Sequence, residues 1–478
     1  MNKIFYLTGV CGLAVTGVSF AQKPYNIVFI MSDDHGVGAI SAYGKSLIPT
    51  PNIDRIAAKG LRFNNSYCVV SLSSPSRASI ITGKYNELNG LWYNETDFDG
   101  SQQTFPKLMQ QAGYETAIFG KWHLGSAPTG FDYYKVLDGH GQYYDCPLYE
   151  KGRPWTDDPK GGDIHKGYLT DVITDESIGW LERRDKTKPF MLMVHHKAPH
   201  NPYDYPDRYR SVFQNEDLPE PPNFWDDHQG RNSHMRDERC TYTKLRHIGA
   251  FEVRDTVPEG MKTGTDAYQQ WMYQTLFKGY YRLIAALDEN IGRLLDYLEK
   301  TGLDRNTIII YTSDNGFFMG DHGFYNKMWM YEESLHVPLI VYHPAMEKGG
   351  RASNRLVSTL DYASTFLDVA GAPIPSDLQG MSFLPLLEGK KTANWRKEHY
   401  YRYVSQWDVP EHYGIRTDRY KLIYFPDSKD IKWELYDMKK DPHEMRNIAA
   451  EPANRKIMHD LQQRMYHARL TFEHNSKK

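Results

Sequence analysis

Asn26-Ile27-Val28-Phe29-Ile30-Met31-Ser32-Asp33-Asp34-His35-Gly36 is the stretch on which the fold turns. The apolar run from Ile27 to Met31 has no polar alternation, the pattern of a strand buried on both faces, as in a parallel sheet covered by helices. It stops abruptly, leaving two carboxylates at the strand's C-terminal end, the edge where open parallel sheets bind ligands. Adjacent carboxylates repel unless a cation lies between them, so the residues leave two readings open, a metal site and a solvated turn.

The same design recurs downstream. Thr307-Ile308-Ile309-Ile310-Tyr311-Thr312 runs into Ser313-Asp314-Asn315-Gly316. Asn-Gly usually marks a hairpin, yet no matching strand follows at once. Two parallel strands would therefore bring Asp33, Asp34, Asp314 and Asn315 to one edge. Four oxygen donors without sulfur suit a hard cation, Ca²⁺ first and Mg²⁺ second. Two further strands, 116–119 and 190–194, open onto Gly120-Lys121-Trp122-His123-Leu124-Gly125 and His195-His196-Lys197-Ala198-Pro199-His200. Lys121 and His123 read either as a pair facing one site or as loop polars. The histidines of the second segment have no local carboxylate or cysteine partner, which favours acid/base or anion-binding roles over a metal. The loop 320–329, with Lys327 near its end, leads to another strand at 337–342.

Ser71 to Gly83, SLSSPSRASIITG, is a polar loop entering a helix, with Pro75 in the first turn, where its missing N–H costs nothing. Free backbone donors, the helix dipole, Arg77 and several hydroxyls make a cradle for an oxyanion; a capped surface helix is the plainer reading. Helices are expected from residue 50 to Gly60 and over 104–112, 167–184, 268–301 and 360–370, the long one carrying Leu276, Leu283, Leu287, Ile291, Leu294 and Leu298 on one stripe. Residues 217–265 are irregular. The pattern changes near 389–394, after which 399–404, 413–425 and 433–436 alternate as strands and 454–470 reads as an amphipathic helix. The expected fold is α/β, a large, mainly parallel sheet sandwiched by helices over 22–390, with a small C-terminal α+β subdomain over 391–478.

With 478 residues and a formal net charge of -3, the chain has no global field for nucleic acid, so an anionic substrate must meet a local cluster. The 35 Tyr and 10 Trp offer amphipathic faces that suit sugars, or simply a core rich in rings. Residues 1–21, a short positive start and an apolar run ending at Ala21, read as a signal peptide, with a membrane anchor as the alternative. That implies export, to the periplasm or beyond the cell, with no stable membrane span. Cys68, Cys146 and Cys240 remain, too few for a disulfide framework and without metal-ligand spacing.

Assembled, these residues resemble the type I, formylglycine-dependent sulfatases of the alkaline phosphatase superfamily. The family signature C/S-x-P-S/A-R followed by T-G is matched by Ser73-Ser74-Pro75-Ser76-Arg77 and Thr82-Gly83. The early Asp pair, G-K-W-H, A-P-H-x-P and the late D-N-G follow in the family's order. The resemblance implies oxidation of the first signature residue, Ser73, to formylglycine. Serine instead of the commoner cysteine implies maturation by an anaerobic radical sulfatase-maturating enzyme as partner. It further implies that Asp33, Asp34, Asp314, Asn315 and the modified Ser73 bind Ca²⁺, and that one hydroxyl of the hydrated aldehyde attacks sulfur. Arg77 and Lys121 would stabilise the developing charge, and His200 or Lys327 would hold the sulfate and protonate the leaving alcohol. His123 would help expel sulfate from the second hydroxyl.

Segments such as QAGYETAIFGKWHLG, MVHHKAPHNP and GDHGFYNKMWMYEESLHVPL look most like bacterial N-acetylglucosamine-6-sulfatases acting on glycosaminoglycans or mucin glycans. Asp321, His322, His412 and Arg416 are the candidate sugar contacts, through carboxylate–hydroxyl and Arg–anion pairing. Two alternatives stand beside this reading: a phosphodiesterase or phosphonate hydrolase on the same fold, and a glycan-binding protein in which Ser73 is never converted.

Overall fold

The computed structural model describes residues 24–475 except 45, 157, 159 and 160, with no side chain described for 251 or for 471–475; the expected signal segment lies outside it. In chain order the strands are β1 (Asn26–Ser32), β2 (Leu61–Tyr67), β3 (Glu115–Lys121), β4 (Tyr133–Leu137), β5 (Pro147–Glu150), β6 (Asp163–Ile164), β7 (Phe190–His195), β8 (Thr307–Ser313), β9 (Phe318–Met319), β10 (Tyr325–Asn326), β11 (Leu339–Tyr342), β12 (Arg351–Ser358), β13 (Glu398–Tyr403), β14 (His412–Thr417), β15 (Tyr420–Tyr424) and β16 (Trp433–Asp437). Ten of them form one sheet in the order β12-β2-β11-β8-β1-β7-β3-β4-β5-β6. The centre is parallel, and β11, β5 and β6 run antiparallel to their neighbours.

Every residue of β1 is buried, as its unbroken apolar run requires. Alternation along the strand sorts its side chains onto two faces. Val28 and Ile30 join a core under the helices Asp266–Thr301 and Leu169–Arg183; Ile27, Phe29 and Met31 join a second one under Ser73–Thr82, Phe105–Gln111 and Asp361–Val369. The long helix starts where Thr265 Oγ1 accepts the Tyr268 N–H and stops at Gly302, whose φ of 71° is the left-handed C-terminal position glycine favours. Register then places the strand ends: Ser32 pairs with Ser313, Met31 with His195, and His195 with Gly120. Four polar strand ends thus share one edge.

The C-terminal strands form a separate antiparallel sheet, β13-β14-β15-β16, packed on one side by the helix Arg455–Asn475. Its other side meets the loops of the large sheet through Tyr67, Leu72, Trp329, Tyr331, Tyr401 and Tyr436. Residues 413–425, expected as one strand-like run, are a hairpin turning at Asp418-Arg419. The outer strands β2, β4, β5, β6 and β12 have no clear apolar signal in sequence. The three cysteines are free and buried. Among the described residues no helix is long and apolar enough to cross a membrane.

Candidate active site

Ser73 opens the helix Ser73–Thr82 at the C-terminal edge of the sheet, with no solvent exposure, its Oγ 3.4 Å from Asp33 Oδ1. The helix is locked onto that edge by its own first turn. Ser76 Oγ donates to the Asp314 carbonyl at 2.6 Å, and Arg77 Nε and Nη2 reach Asp314 Oδ2 at 3.0 and 2.9 Å. Arg77 Nη1 donates to the Lys121 carbonyl at 2.8 Å, binding the G-K-W-H segment to the same cluster. Lys121 Nζ lies 2.5 Å from Asp33 Oδ2, and Lys327 Nζ lies 2.5 and 2.6 Å from the two oxygens of Asp34. The Asp34 N–H donates to Asp314 Oδ1 and Asn315 Nδ2 to Asp34 Oδ1, so the two repeated strand ends interlock. Asp34 and His123 hold left-handed φ values of 65° and 56°, the kind of backbone strain that surrounding contacts must sustain.

Three buried carboxylates, Asp33, Asp34 and Asp314, therefore face three buried cations, Arg77, Lys121 and Lys327. Burial alone would raise Asp33, but Lys121, His200, Arg77 and Lys327 hold it well below the carboxylate range. Asp314 is pushed up to about 7 by burial and by the charge of Asp33, against Arg77. Lys327 is raised despite its burial, because Asp34 and Asp33 stabilise its charge; Lys121 is lowered by burial. Burial holds His123 and His200 well below the ordinary imidazole range, so both rings are neutral near pH 7.

The donor set fits a divalent cation. Carboxyl oxygens of Asp33 and Asp34 and a nitrogen of His200 lie within 4.8 Å of one another. The Asn315 amide uses Nδ2 on Asp34 and the Gly316 carbonyl, which leaves its buried Oδ1 with no partner. An orphaned acceptor among carboxylates is what a hard cation satisfies. A dication added to balanced charges also makes the pocket net positive, as an anionic ester requires.

Histidines close the site from the outside. His123 meets His140 edge-on at 4.7 Å between ring centroids, and His140 stacks on His200 at 4.9 Å, with His140 exposed to solvent. The Tyr242 hydroxyl bonds Asn326 and feels the charges of Lys327 and Asp34, while its ring lies 5.8 Å from that of Trp407. Both rings are 37% exposed. Tyr242 and Trp407 were not among the expected site residues. Their only sequence signal is aromatic content in segments without periodicity.

The expected sugar contacts fall elsewhere. His412 is buried and stacked against Trp329, Tyr401 and Tyr403; its Nδ1 donates to the Pro410 carbonyl and its Nε2 accepts the Met330 N–H, so no ring atom is left for a ligand. Arg416 is spent on Glu332, over the Tyr67 ring. His322 is buried with Nδ1 2.6 Å from Asp226, which also pairs with Arg231. His412 and Arg416 are thus committed to neighbours within the fold, against the expectation, whereas His322 keeps a buried Nε2 without a partner. Asp321 lies with Glu333 and His443. Among the described residues none of the four bonds to Ser73 or to the carboxylates beneath it.

A strand edge whose donors fit a cation, under a helix-borne serine, is suited to holding an anionic ester. Comparison with known proteins narrows it. The Sulfatase family model matches residues 25–372, and a model described as N-sulphoglucosamine sulphohydrolase, C-terminal, matches 320–471. The chain is 44% identical to an N-acetylglucosamine-6-O-sulfatase of Bacteroides thetaiotaomicron, over 95% of this chain and 88% of that one. The solved structure of BT4656 in complex with its substrate D-glucosamine-2-N,6-O-disulfate superposes with a TM-score of 0.86 at 42% identity, covering 95% and 99% of the two chains. A phosphonate monoester hydrolase of Agrobacterium radiobacter shares the fold, with a TM-score of 0.74 at 22% identity over 94% and 96%. The chain belongs to the sulfatase family, and it is a hydrolase of glycan sulfate esters.

Proposed function

We propose that the protein is an exported Ser-type sulfatase that removes the 6-O-sulfate of N-acetylglucosamine from glycosaminoglycan or mucin glycans. The full-length similarity to an N-acetylglucosamine-6-O-sulfatase supports the sugar and the position. One observation carries the chemistry: Ser73, buried at a helix start, has its Oγ 3.4 Å from Asp33, whose carboxylate also meets Arg77 and Lys121, while Lys327 pairs with the adjacent Asp34. Asp33, Asp34, Asp314 and Asn315 would hold Ca²⁺, with the modified Ser73 as a further ligand. Bound Ca²⁺ would polarise the sulfate, and formylglycine, made when a radical maturating enzyme removes two hydrogens from Ser73, would supply the oxygen that attacks sulfur.

The remaining work falls to this chain's own side chains. Arg77 from the helix and Lys121 from the end of β3 meet the charge on the sulfate oxygens, in a site where little water weakens them. Lys327, kept charged beside Asp34, is suited to bind the sulfate, and Lys327 or His200, whose Nε2 lies 3.6 Å from the same carboxylate, hands a proton to the departing sugar oxygen. His123, kept neutral by burial and by Lys121, is suited to accept a proton during sulfate release. The exposed rings of Tyr242 and Trp407 offer the sugar a face outside the charged pocket.

The test is to produce the chain with and without an anaerobic radical maturating enzyme. Maturation should lighten the Ser73 peptide by two hydrogens, and only that form should release sulfate from N-acetylglucosamine-6-sulfate, with calcium. Release from 3-O-sulfated sugar alone would sink the positional assignment. An unconverted but active Ser73, or faster turnover of phosphonate monoesters than of sulfates, would sink the chemistry.

A further inference from the structure

We propose a second metal site, formed by Asp321, Glu333 and His443, which takes a transition-metal dication, Zn²⁺ first, and clips the C-terminal sheet to the loop that carries Lys327. One ligand atom from each side chain lies within 4.8 Å of the other two. The residues come from three places: the turn Asp321–Gly323 between β9 and β10, the helix Glu332–Leu335, and the segment after β16. A second observation points to a ligand. Glu333 Oε2 has no accessible surface and no hydrogen-bond partner, although it is a carboxylate oxygen.

The surrounding charges sharpen this. Among the described residues neither Asp321 nor Glu333 forms a salt bridge, and the nearby Lys421 is spent on Glu332 and Glu444. Burial raises both carboxyls, and the charge of Asp321 raises Glu333 further. Two facing carboxylates without a cation are costly unless a cation joins them. His443 is exposed, so it supplies a nitrogen donor at the solvent side, where a metal enters and a water completes the shell. Two oxygens, one imidazole and an open position suit Zn²⁺, whereas Ca²⁺ prefers six or more oxygens. Ligands at about 2 Å from Zn²⁺ lie roughly 3.3 Å apart, a closure the exposed His443 ring can make by rotating.

The clip bears on the catalytic edge. The Gly316 N–H donates to the Ser334 carbonyl at 2.9 Å, and a Cβ at Gly316 would stand 2.2 Å from the Glu333 carbonyl oxygen. The Asp314–Asn315 corner therefore rests directly on the helix that holds Glu333. A metal there fixes the corner without belonging to the catalytic group.

The experiment strips the protein with chelator, refills it with excess CaCl₂, and titrates ZnCl₂ by calorimetry, with bound metal counted by elemental analysis and unfolding followed thermally. The proposal expects one Zn²⁺ per chain and a raised melting temperature. Affinity should fall roughly tenfold or more in His443→Ala and in Glu333→Gln, and stay unchanged in Asp34→Asn. His443 is on the surface, so its variant tests the site without unfolding the core. Failure to take up zinc under calcium, or equal uptake by wild type and both site variants, overturns the proposal. Loss of uptake in Asp34→Asn alone would assign the zinc to the catalytic group and overturn it equally. None of these outcomes depends on sulfate turnover.

Discussion

The catalytic edge and the junction with the C-terminal sheet both bury dense charge, but they spend it differently. At the junction Arg416 answers Glu332, Lys421 answers Glu332 and Glu444, Arg231 answers Asp226, and Tyr331 and Tyr436 both donate to Glu434. His412 has a partner at each ring nitrogen. At the catalytic edge the charges also balance, yet hydrogen-bonding capacity is left over: Asn315 Oδ1 and His123 Nδ1 are buried without partners, and Ser73 makes only a long contact. Leftover capacity next to a small hydroxyl, rather than charge density itself, separates a site from a lock. At the junction the mark recurs at Glu333 Oε2, in the Asp321, Glu333 and His443 group, and at single atoms such as His322 Nε2 and Trp329 Nε1.

The largest expected break in the comparison comes from paired substitutions. Ser73→Ala should lower sulfate release on the order of 10³-fold or more while leaving the denaturation midpoint in place. Arg416→Ala should do the reverse. It leaves the partly buried Glu332 with Lys421 and the Tyr67 hydroxyl but without its guanidinium, costing about 3 kcal/mol in urea denaturation, with kcat per folded molecule unchanged. Loss of substrate affinity in a stable Arg416→Ala protein would return Arg416 to the sugar site.

A smaller effect separates the regions by pH. Burial alone would raise Asp226, but His322 and Arg231 hold it below the ordinary carboxylate range. A carboxyl depressed in the fold contributes stability above its unfolded pKa of about 4, and that contribution is lost as pH falls through the folded value. Asp226→Asn should therefore lower stability at neutral pH and flatten its decline below pH 4, read as urea midpoints across pH. Sulfate release at pH 7 should be unaffected. A change in turnover without a change in the acid slope would move Asp226 into the active site.

The smallest effect concerns the mouth. Trp407→Ala removes a half-open ring worth about 0.5–1.5 kcal/mol of contact, so KM for a 6-sulfated oligosaccharide should rise roughly two- to tenfold with kcat nearly constant. Unchanged KM would exclude Trp407 from the sugar path.

Much of the catalytic edge was legible because its signal is local. An apolar run that ends in Ser-Asp-Asp or Ser-Asp-Asn needs no neighbour to be recognised, and β1 and β8 lie where their runs imply. The outer strands were not legible. Leu61–Tyr67 and Arg351–Ser358 each carry three polar residues in succession, Asn64-Asn65-Ser66 and Ser353-Asn354-Arg355, at the margin of the sheet, and that pattern resembles loop. The error at His412 and Arg416 has another cause: an arginine and a histidine on a hairpin look alike whether they face a sugar or a buried glutamate. The choice was made by Glu332 and Met330, more than eighty residues away.

By itself the sequence determined that β1, β3, β7 and β8 are buried strands, about where each ends, and that serine, carboxylates, lysines and histidines stand at those ends, since side-chain periodicity and chain-breaking residues act over a few positions. Tertiary structure alone decided that Ser32 and Ser313 share a register, that Arg77 closes on Asp314, and that Asn315 Oδ1 is left over while His412 is used up. The physical reason is that a buried polar atom must be satisfied by whatever packing brings near it, and the partners here lie tens to hundreds of residues apart along the chain.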